Sequence, residues 1–258
     1  MNINPLLKRI TKDKAGRCAR EESRWGREIK DWLFPLHCPI CDTILPHGKG
    51  RICLECATIP QPVKAPRCIC CGKHVGTIEQ VRCRDCSGLR KNFERGVALY
   101  EYVSVHDSIH RFKNMSRMEY AFFYGEELRK WLMPVIKGMR ADALVPIPLH
   151  PSKLRKRGYN QATLLAKEIS KGCNIPVRED ILVRTQKTAA QKTMDHGERQ
   201  NNMKKAFHMV QNDVKLNTII LVDDVFTTGN TLDAAAAELK RGGVKQVFFI
   251  TLAIGKGL

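Results

Sequence analysis

Eight of the eleven cysteines fall into four Cys-x-x-Cys pairs, Cys38/Cys41, Cys53/Cys56, Cys68/Cys71 and Cys83/Cys86, whose first members recur at one constant spacing. The stretch that carries them, from His37 to about Leu89, has few large apolar residues and cannot fold on a hydrophobic core alone. Cross-links of some kind must hold it. The N-terminal MNINPLLKRITKDKAGR has no sustained apolar run before its charges, so it does not read as a secretory signal, and disulfides are the poorer reading. Zinc is the better one: each Cys-x-x-Cys knuckle offers two thiolates, and two knuckles complete a tetrahedron. Sequential pairing is preferred, with Cys38, Cys41, Cys53 and Cys56 on one ion and Cys68, Cys71, Cys83 and Cys86 on a second; a cross-braced pairing stays open. Gly72 and Asp42, each just after a knuckle, suit the positive φ that such turns need. Cys18, Cys70 and Cys173 are left as ordinary thiols, and His37, His47 and His74 read as loop histidines. A closed four-thiolate site has no open coordination position, so these zincs are structural and not catalytic.

The chain of 258 residues has room for one large or two smaller domains. Its net charge of +18, which two four-thiolate zinc sites would take to about +14, suggests polyanionic partners. No apolar run approaches the roughly 18 residues of a membrane span, so a cytoplasmic protein without membrane insertion is expected. Residues 1–24 read as a basic N-terminal extension. Residues 25–90 read as an amphipathic helix (Trp25, Ile29, Trp32, Leu33) followed by the double zinc ribbon. Residues 91–258 alternate strand-like runs (VALYEYV, ALVPIP, DILVRT, KAFHMV, NTIILVDD, KQVFFITLAI) with helix-like ones: 119–139, NQATLLAKEISK, a turn or two around Glu198-Arg199, and TLDAAAAELKRGG. That pattern predicts an α/β fold, a twisted and mainly parallel sheet with helices on both faces and ligands at the carboxyl ends of its strands.

The run IILVDDVFTTGNTL ends an apolar strand in two adjacent carboxylates, Asp223 and Asp224, and passes straight into a small polar turn. Thr227, Thr228, Gly229, Asn230 and Thr231 can cradle a phosphate with backbone N–H groups, hydroxyls and the N-terminus of the next helix. The acids cannot bind the same phosphate; they suit sugar hydroxyls beside it, together with Mg²⁺. Paired acids also occur in Walker B strands, but no GxxxxGK[ST] stands in this chain. They occur in phospho-acceptor receiver domains too, where a phosphate turn is not expected next.

LVDDVFTTGNT resembles the phosphoribosyl pyrophosphate (PRPP) signature of type I phosphoribosyltransferases. LVPIPLHPSKLRKRGYNQATLLA (144–166), the Thr188–Gln191 TAAQ, Glu198-Arg199 with Asn202 and Ala206-Phe207, and the preceding zinc ribbon together resemble the ComF family. The resemblance implies the type I phosphoribosyltransferase fold, PRPP as ligand and magnesium with it, the acids on the ribose diol and the turn on the 5′-phosphate. It places the pyrophosphate loop on the basic stretch after ALVPIP, at Arg155, Arg157 and Gly158, with Lys156, Lys113 and Arg199 as weaker phosphate candidates. Asn160 could cap the helix that follows. Lys187, Gln191 and Lys192 would lie on the family's closing loop, with Lys187 and Gln191 beside the acids as catalytic candidates. Thr227 stands where purine-salvage relatives carry a proton-transferring acid, which speaks against a hypoxanthine–guanine enzyme and leaves an orotate-like one open. The family role implies natural competence, single-stranded DNA and a helicase partner. Only 7% of the residues are aromatic, so DNA contact would be mainly electrostatic.

Overall fold

A computed structural model describes residues 35–46, 48, 50–88, 90–185, 206–210 and 216–255. The expected helix around Trp25 to Leu33 and the helical turns near Glu198-Arg199 lie outside them. One compact unit begins at His37 and holds both the cysteine-rich part and the α/β part.

Four strands form a wholly parallel sheet in the order β1 (Arg95–Glu101), β6 (Gln246–Ile254), β5 (Thr218–Phe226), β2 (Ala143–Pro146). The side-chain period of two sorts each strand between two cores. Ala143, Val145, Ile219, Leu221, Val247 and Phe249 face α5 (Asn230–Arg241) and the second cysteine cluster. Leu144, Ile220, Val222, Ile250 and Leu252 face α1 (Tyr102–Asn114), α2 (Tyr120–Gly138) and α4 (Gln161–Cys173). Helices therefore cover both faces. The sheet edges are covered as well. On the β1 side Val63 donates to Leu99 O at 2.9 Å and Glu101 to Gln61 O at 3.0 Å; on the β2 side Leu144 donates to Pro176 O at 2.9 Å.

Three readings change. VALYEYV does not stay extended: the strand stops at Glu101 and Tyr102 opens a helix of 13 residues, which the apolar run conceals. DILVRT and KAFHMV supply β3 (Leu182–Arg184) and β4 (Phe207–Met209), which pair antiparallel with each other, apart from the main sheet. The basic stretch after β2 is a short helix and not a loop: α3 (Pro151–Arg157) starts with Pro at its first turn, is capped by His150 accepting from Ser152 N, and stops at Gly158 with φ 79°. Asn160 caps α4 as expected, accepting from Ala162 N.

Gly96, at the start of β1, has no room for a side chain: a Cβ there would lie 2.2 Å from the Phe249 ring. That ring is fixed, stacked on Phe226 at 5.1 Å and edge-on to Phe93 at 4.8 Å. Gly96→Ala is expected to destabilise the fold by about 2 kcal/mol, as overpacking does. Urea unfolding at constant zinc concentration checks this; an unchanged midpoint would mean that the aromatic trio can yield.

Candidate functional site

The cysteine-rich part is built twice over. Each half has a knuckle closed by the same pair of backbone bonds: Cys38 N to Thr43 O (2.8 Å) with Asp42 N to Cys38 O (2.9 Å), then Cys68 N to Lys73 O (2.7 Å) with Gly72 N to Cys68 O (2.9 Å). A 3₁₀ turn completes each half, at Leu54–Cys56 and Arg84–Cys86. The knuckles require positive φ, which Asp42 (64°) and Gly72 (77°) adopt. At Gly72 there is a second reason for glycine, because a Cβ would come within 3.0 Å of the Gly96 and Val97 backbone.

The eight sulfurs gather sequentially, Cys38, Cys41, Cys53 and Cys56 in one group and Cys68, Cys71, Cys83 and Cys86 in the other, all within 4.8 Å of one another in each. Sulfur separations of 3.6 Å (Cys38–Cys53), 3.7 Å (Cys41–Cys53) and 3.6 Å (Cys71–Cys83) match the edge of a tetrahedron with metal–sulfur bonds of about 2.3 Å. Both groups fit structural zinc. Cys70 is buried outside the second group, and its carbonyl accepts from Gly96 N at 2.8 Å. His37 and His74 are not ligands either. His37 contacts Glu119 and Arg117, and His74 the carbonyl of Pro66.

The first knuckle is tied to the α/β part through Asp42. Arg117 holds both carboxylate oxygens, Nε to Oδ1 at 2.8 Å and Nη2 donating to Oδ2 at 2.9 Å, and the Tyr120 hydroxyl donates to Oδ1 at 2.5 Å. Burial alone would push the Asp42 carboxyl up, but these donors outweigh it and hold the group below the ordinary aspartate range.

The second site lies at the carboxyl ends of β5 and β2. The long helices that follow these neighbouring strands pack on opposite faces, α5 after β5 on one and α4, beyond α3, after β2 on the other, and so open a crevice between them. Asp223 and Asp224 sit near the end of β5, with Asp224 N donating to Asp223 Oδ1 at 2.8 Å. Loss of water around Asp223, and then the adjacent Asp224 charge, push its carboxyl up to about 7. The Lys113 ammonium lies 2.7 Å from Asp224 Oδ1. After Phe226, Thr227 and Thr228 are exposed and Gly229 takes φ 76°. There a Cβ would strike the Phe226 ring at 2.6 Å, so only glycine turns the chain into α5. No side chain caps α5, which leaves the N–H groups of its first turn, at Asn230 and Thr231, open to an anion.

Beside the acids is a cavity of about 310 Å³ lined by Lys113, Asn114, Ser116, Lys153, Lys156 and Arg157. Three of these, Lys113, Lys156 and Arg157, are among the phosphate candidates read from the sequence. Helical geometry does the sorting: Lys153, Lys156 and Arg157 share one face of α3, whereas Arg155 does not line the cavity. Gly158 ends the helix and does not line it either. Arg157 donates to Gln161 Oε1 at 3.0 Å, and Gln161 with the Tyr159 hydroxyl donates to Phe112 O, so the end of α1 is pinned against α4. Partial desolvation, then the charges of Arg184, Arg157 and Lys113, lower the Lys153 pKa. Arg184, on β3, has no signal in the sequence that marks it for the site. It stacks over Phe207 at 5.3 Å, and its charge is felt at Asp223. Lys187, Gln191, Lys192 and Arg199 lie outside the described residues.

This is the architecture of a phosphoribosyltransferase-fold protein with an N-terminal double zinc ribbon, and the comparisons agree. The double zinc ribbon domain family matches residues 29–87 and the phosphoribosyl transferase domain family residues 155–257. Competence protein F of Haemophilus influenzae is 28% identical over 225 residues, 83% of this chain and 95% of that protein. The DNA utilization protein YhgH of Escherichia coli is 28% identical over 219 residues, 81% and 93%. Competence protein ComFC of Bacillus subtilis is 27% identical over 254 residues, 88% and 98%. Over most of its length the chain is similar to these competence and DNA utilization proteins. Among the described residues no helix is long and apolar enough to cross a membrane.

Proposed function

We propose that this chain binds PRPP with Mg²⁺ at the ends of β5 and β2 and serves natural competence in the cytoplasm, handling single-stranded DNA. One observation carries the ligand: an acid pair that runs on into a phosphate-ready turn is joined, by Lys113 on Asp224, to a cavity lined by four cations. A ribose diol, a 5′-phosphate and a diphosphate in one molecule answer all three. Asp223 and Asp224 would accept from the ribose hydroxyls, Thr227 to Thr231 would hold the 5′-phosphate, and Lys113, Lys153, Lys156 and Arg157 would take the diphosphate. The carboxylates of Asp223 and Asp224 are donors suited to Mg²⁺, which when bound withdraws charge from the departing diphosphate. The competence role is supported by the names of the relatives over most of their length, and DNA as partner by the net charge of +18.

Turnover is the second reading, favoured by the presence of both halves of a transfer site. The bond from the anomeric carbon to the diphosphate oxygen would break as a nucleophile bonds to that carbon, with the cations of α3 stabilising the leaving group. The test is pyrophosphate release from PRPP and Mg²⁺, across a panel of nucleobases and with single-stranded DNA, against Asp223→Asn/Asp224→Asn protein. Acceptor-dependent release that the double variant lacks establishes the transferase. Tight PRPP binding without release leaves the binding function alone. Absence of PRPP binding by zinc-loaded protein overturns the proposal.

A further inference from the structure

The rest of the cavity lining is the 113–116 turn, made of the last two residues of α1, Lys113 and Asn114, and of Ser116 in the link to α2. It carries Lys113, which reaches Asp224, and Asn114 and Ser116, which line the cavity. Ser116 sits at φ 54°, in the left-handed region that a side chain rarely adopts. Ser116 is itself exposed, and the chain on either side of it is anchored by two arginines that both reach the first zinc knuckle. Arg111, two residues before Lys113, donates to the carbonyls of Ile40 and Pro39. Arg117, directly after Ser116, grips Asp42 with two nitrogens, and Tyr120 adds its hydroxyl. Pro39 and Ile40 lie between Cys38 and Cys41, and Asp42 directly follows Cys41. The turn is thus clamped on both sides to the knuckle that zinc would shape, through backbone carbonyls on one side and the Asp42 carboxylate on the other.

We propose that the first zinc ribbon positions the anion pocket, with Arg111 and Arg117 as the positioning residues that fix the 113–116 turn. The second ribbon acts elsewhere, packing on β1 and into the sheet core, away from this turn. The proposal rests on the PRPP reading of the site, because it assigns the cavity to a diphosphate. Neither arginine is among the residues lining the cavity. Their effect passes through the placement of Lys113, Asn114 and Ser116. A shift of the turn by a fraction of an ångström would cost affinity without removing any ligand group.

The experiment is calorimetric titration of the full chain, loaded with zinc, with inorganic pyrophosphate, alongside metal analysis and a thermal midpoint for each variant. Arg111→Met and Arg117→Met should each weaken pyrophosphate binding about tenfold while keeping the wild-type zinc content, and Arg117→Lys should recover part of the loss. Arg51→Met is the control. It removes the 2.7 Å bond of Arg51 to Glu126 on α2, also a contact between the ribbon and the α/β part, but one that does not flank the turn, and it should leave affinity unchanged. Should Arg117→Met lose zinc, Tyr120→Phe carries the test: it removes one hydroxyl from Asp42 and should weaken binding about threefold with zinc retained. Wild-type binding that both methionine variants and Tyr120→Phe leave intact overturns the clamp and spares the pocket. Equal losses in Arg51→Met and Arg117→Met also overturn it, since general loosening then suffices. A wild-type chain that takes up no pyrophosphate overturns the anion reading of the cavity, and the clamp with it.

Discussion

Replacing Asp223 with asparagine will stabilise the unliganded protein at pH 8, by about 3 °C in thermal midpoint, and weaken PRPP binding by roughly a hundredfold or more. The two effects have one cause. In the folded chain burial and the Asp224 charge raise the Asp223 carboxyl from 3.8 to about 7. Between those values the folded protein holds a proton that the unfolded chain has lost, so stability falls as pH rises through that interval and the full penalty is present above about 7. Asparagine keeps the acceptor that Asp224 N uses, now 2.8 Å from Oδ1, but carries no charge. Its gain should therefore be largest at pH 8, shrink as pH falls through 7, and vanish near pH 4. The same charge is what a ribose diol and a cation would use, hence the lost affinity. Thermal midpoints of wild type and variant across pH 4 to 8, at fixed zinc, decide the matter. A gain that is flat with pH, or absent at pH 8, means that Lys113 and Arg184 neutralise the pair more completely than the desolvation costs. The prediction also separates function from folding: a residue kept at a cost to stability is kept for a ligand.

Much of this is legible in the sequence because it depends on neighbours in the chain. The knuckle glycine and aspartate, the strand ending in Asp223-Asp224, the Gly229 turn and the Asn160 cap are local matters of φ, donors and spacing, and each reads from a few residues. What the sequence does not show is either concealed or distant. The apolar run Val97 to Val103 gives no sign that Glu101 ends a strand and Tyr102 begins a helix, since no glycine or proline marks the change. Lys113 meets Asp224 across more than a hundred residues, and Arg184 reaches the site from a hairpin-like pair outside the main sheet. The basic stretch after β2 falls at the site, as its place behind a strand end implies, yet its members cannot be told apart until the backbone coils. Once helical, α3 brings Lys153, Lys156 and Arg157 to the cavity and leaves Arg155 out of its lining. The register between ribbon and α/β part, Arg117 on Asp42 above all, has no sequence signature at all.

The two zinc sites, alike in local geometry, should fail differently. Cys71→Ser is expected to lower the thermal midpoint by more than about 10 °C and to leave much of the protein insoluble, whereas Cys41→Ser should cost only a few degrees. Cys71 is fully buried, and its cluster is continuous with the main core, where Val63, Val75 and the second-site cysteines join Phe93, Ala98 and Phe249. Losing the metal there leaves thiols with no ligand role inside that core and frees the backbone that packs against Gly96. The first cluster is small, with Cys38, Leu45 and Cys56 at its centre and Cys41 exposed, so its loss should loosen a surface element and spare the sheet. Folded Cys41→Ser protein should bind less zinc than wild type and still unfold cooperatively. It should nonetheless lose pyrophosphate affinity, because Asp42 would no longer hold Arg117 in place. Metal analysis, thermal midpoints and pyrophosphate titration on the two serine variants give three independent readings. If Cys41→Ser proves as destabilising as Cys71→Ser, the first ribbon is part of the folding core and its link to the pocket is incidental. If it stays folded and binds pyrophosphate as wild type does, the turn at Ser116 is held by α1 and α2 alone.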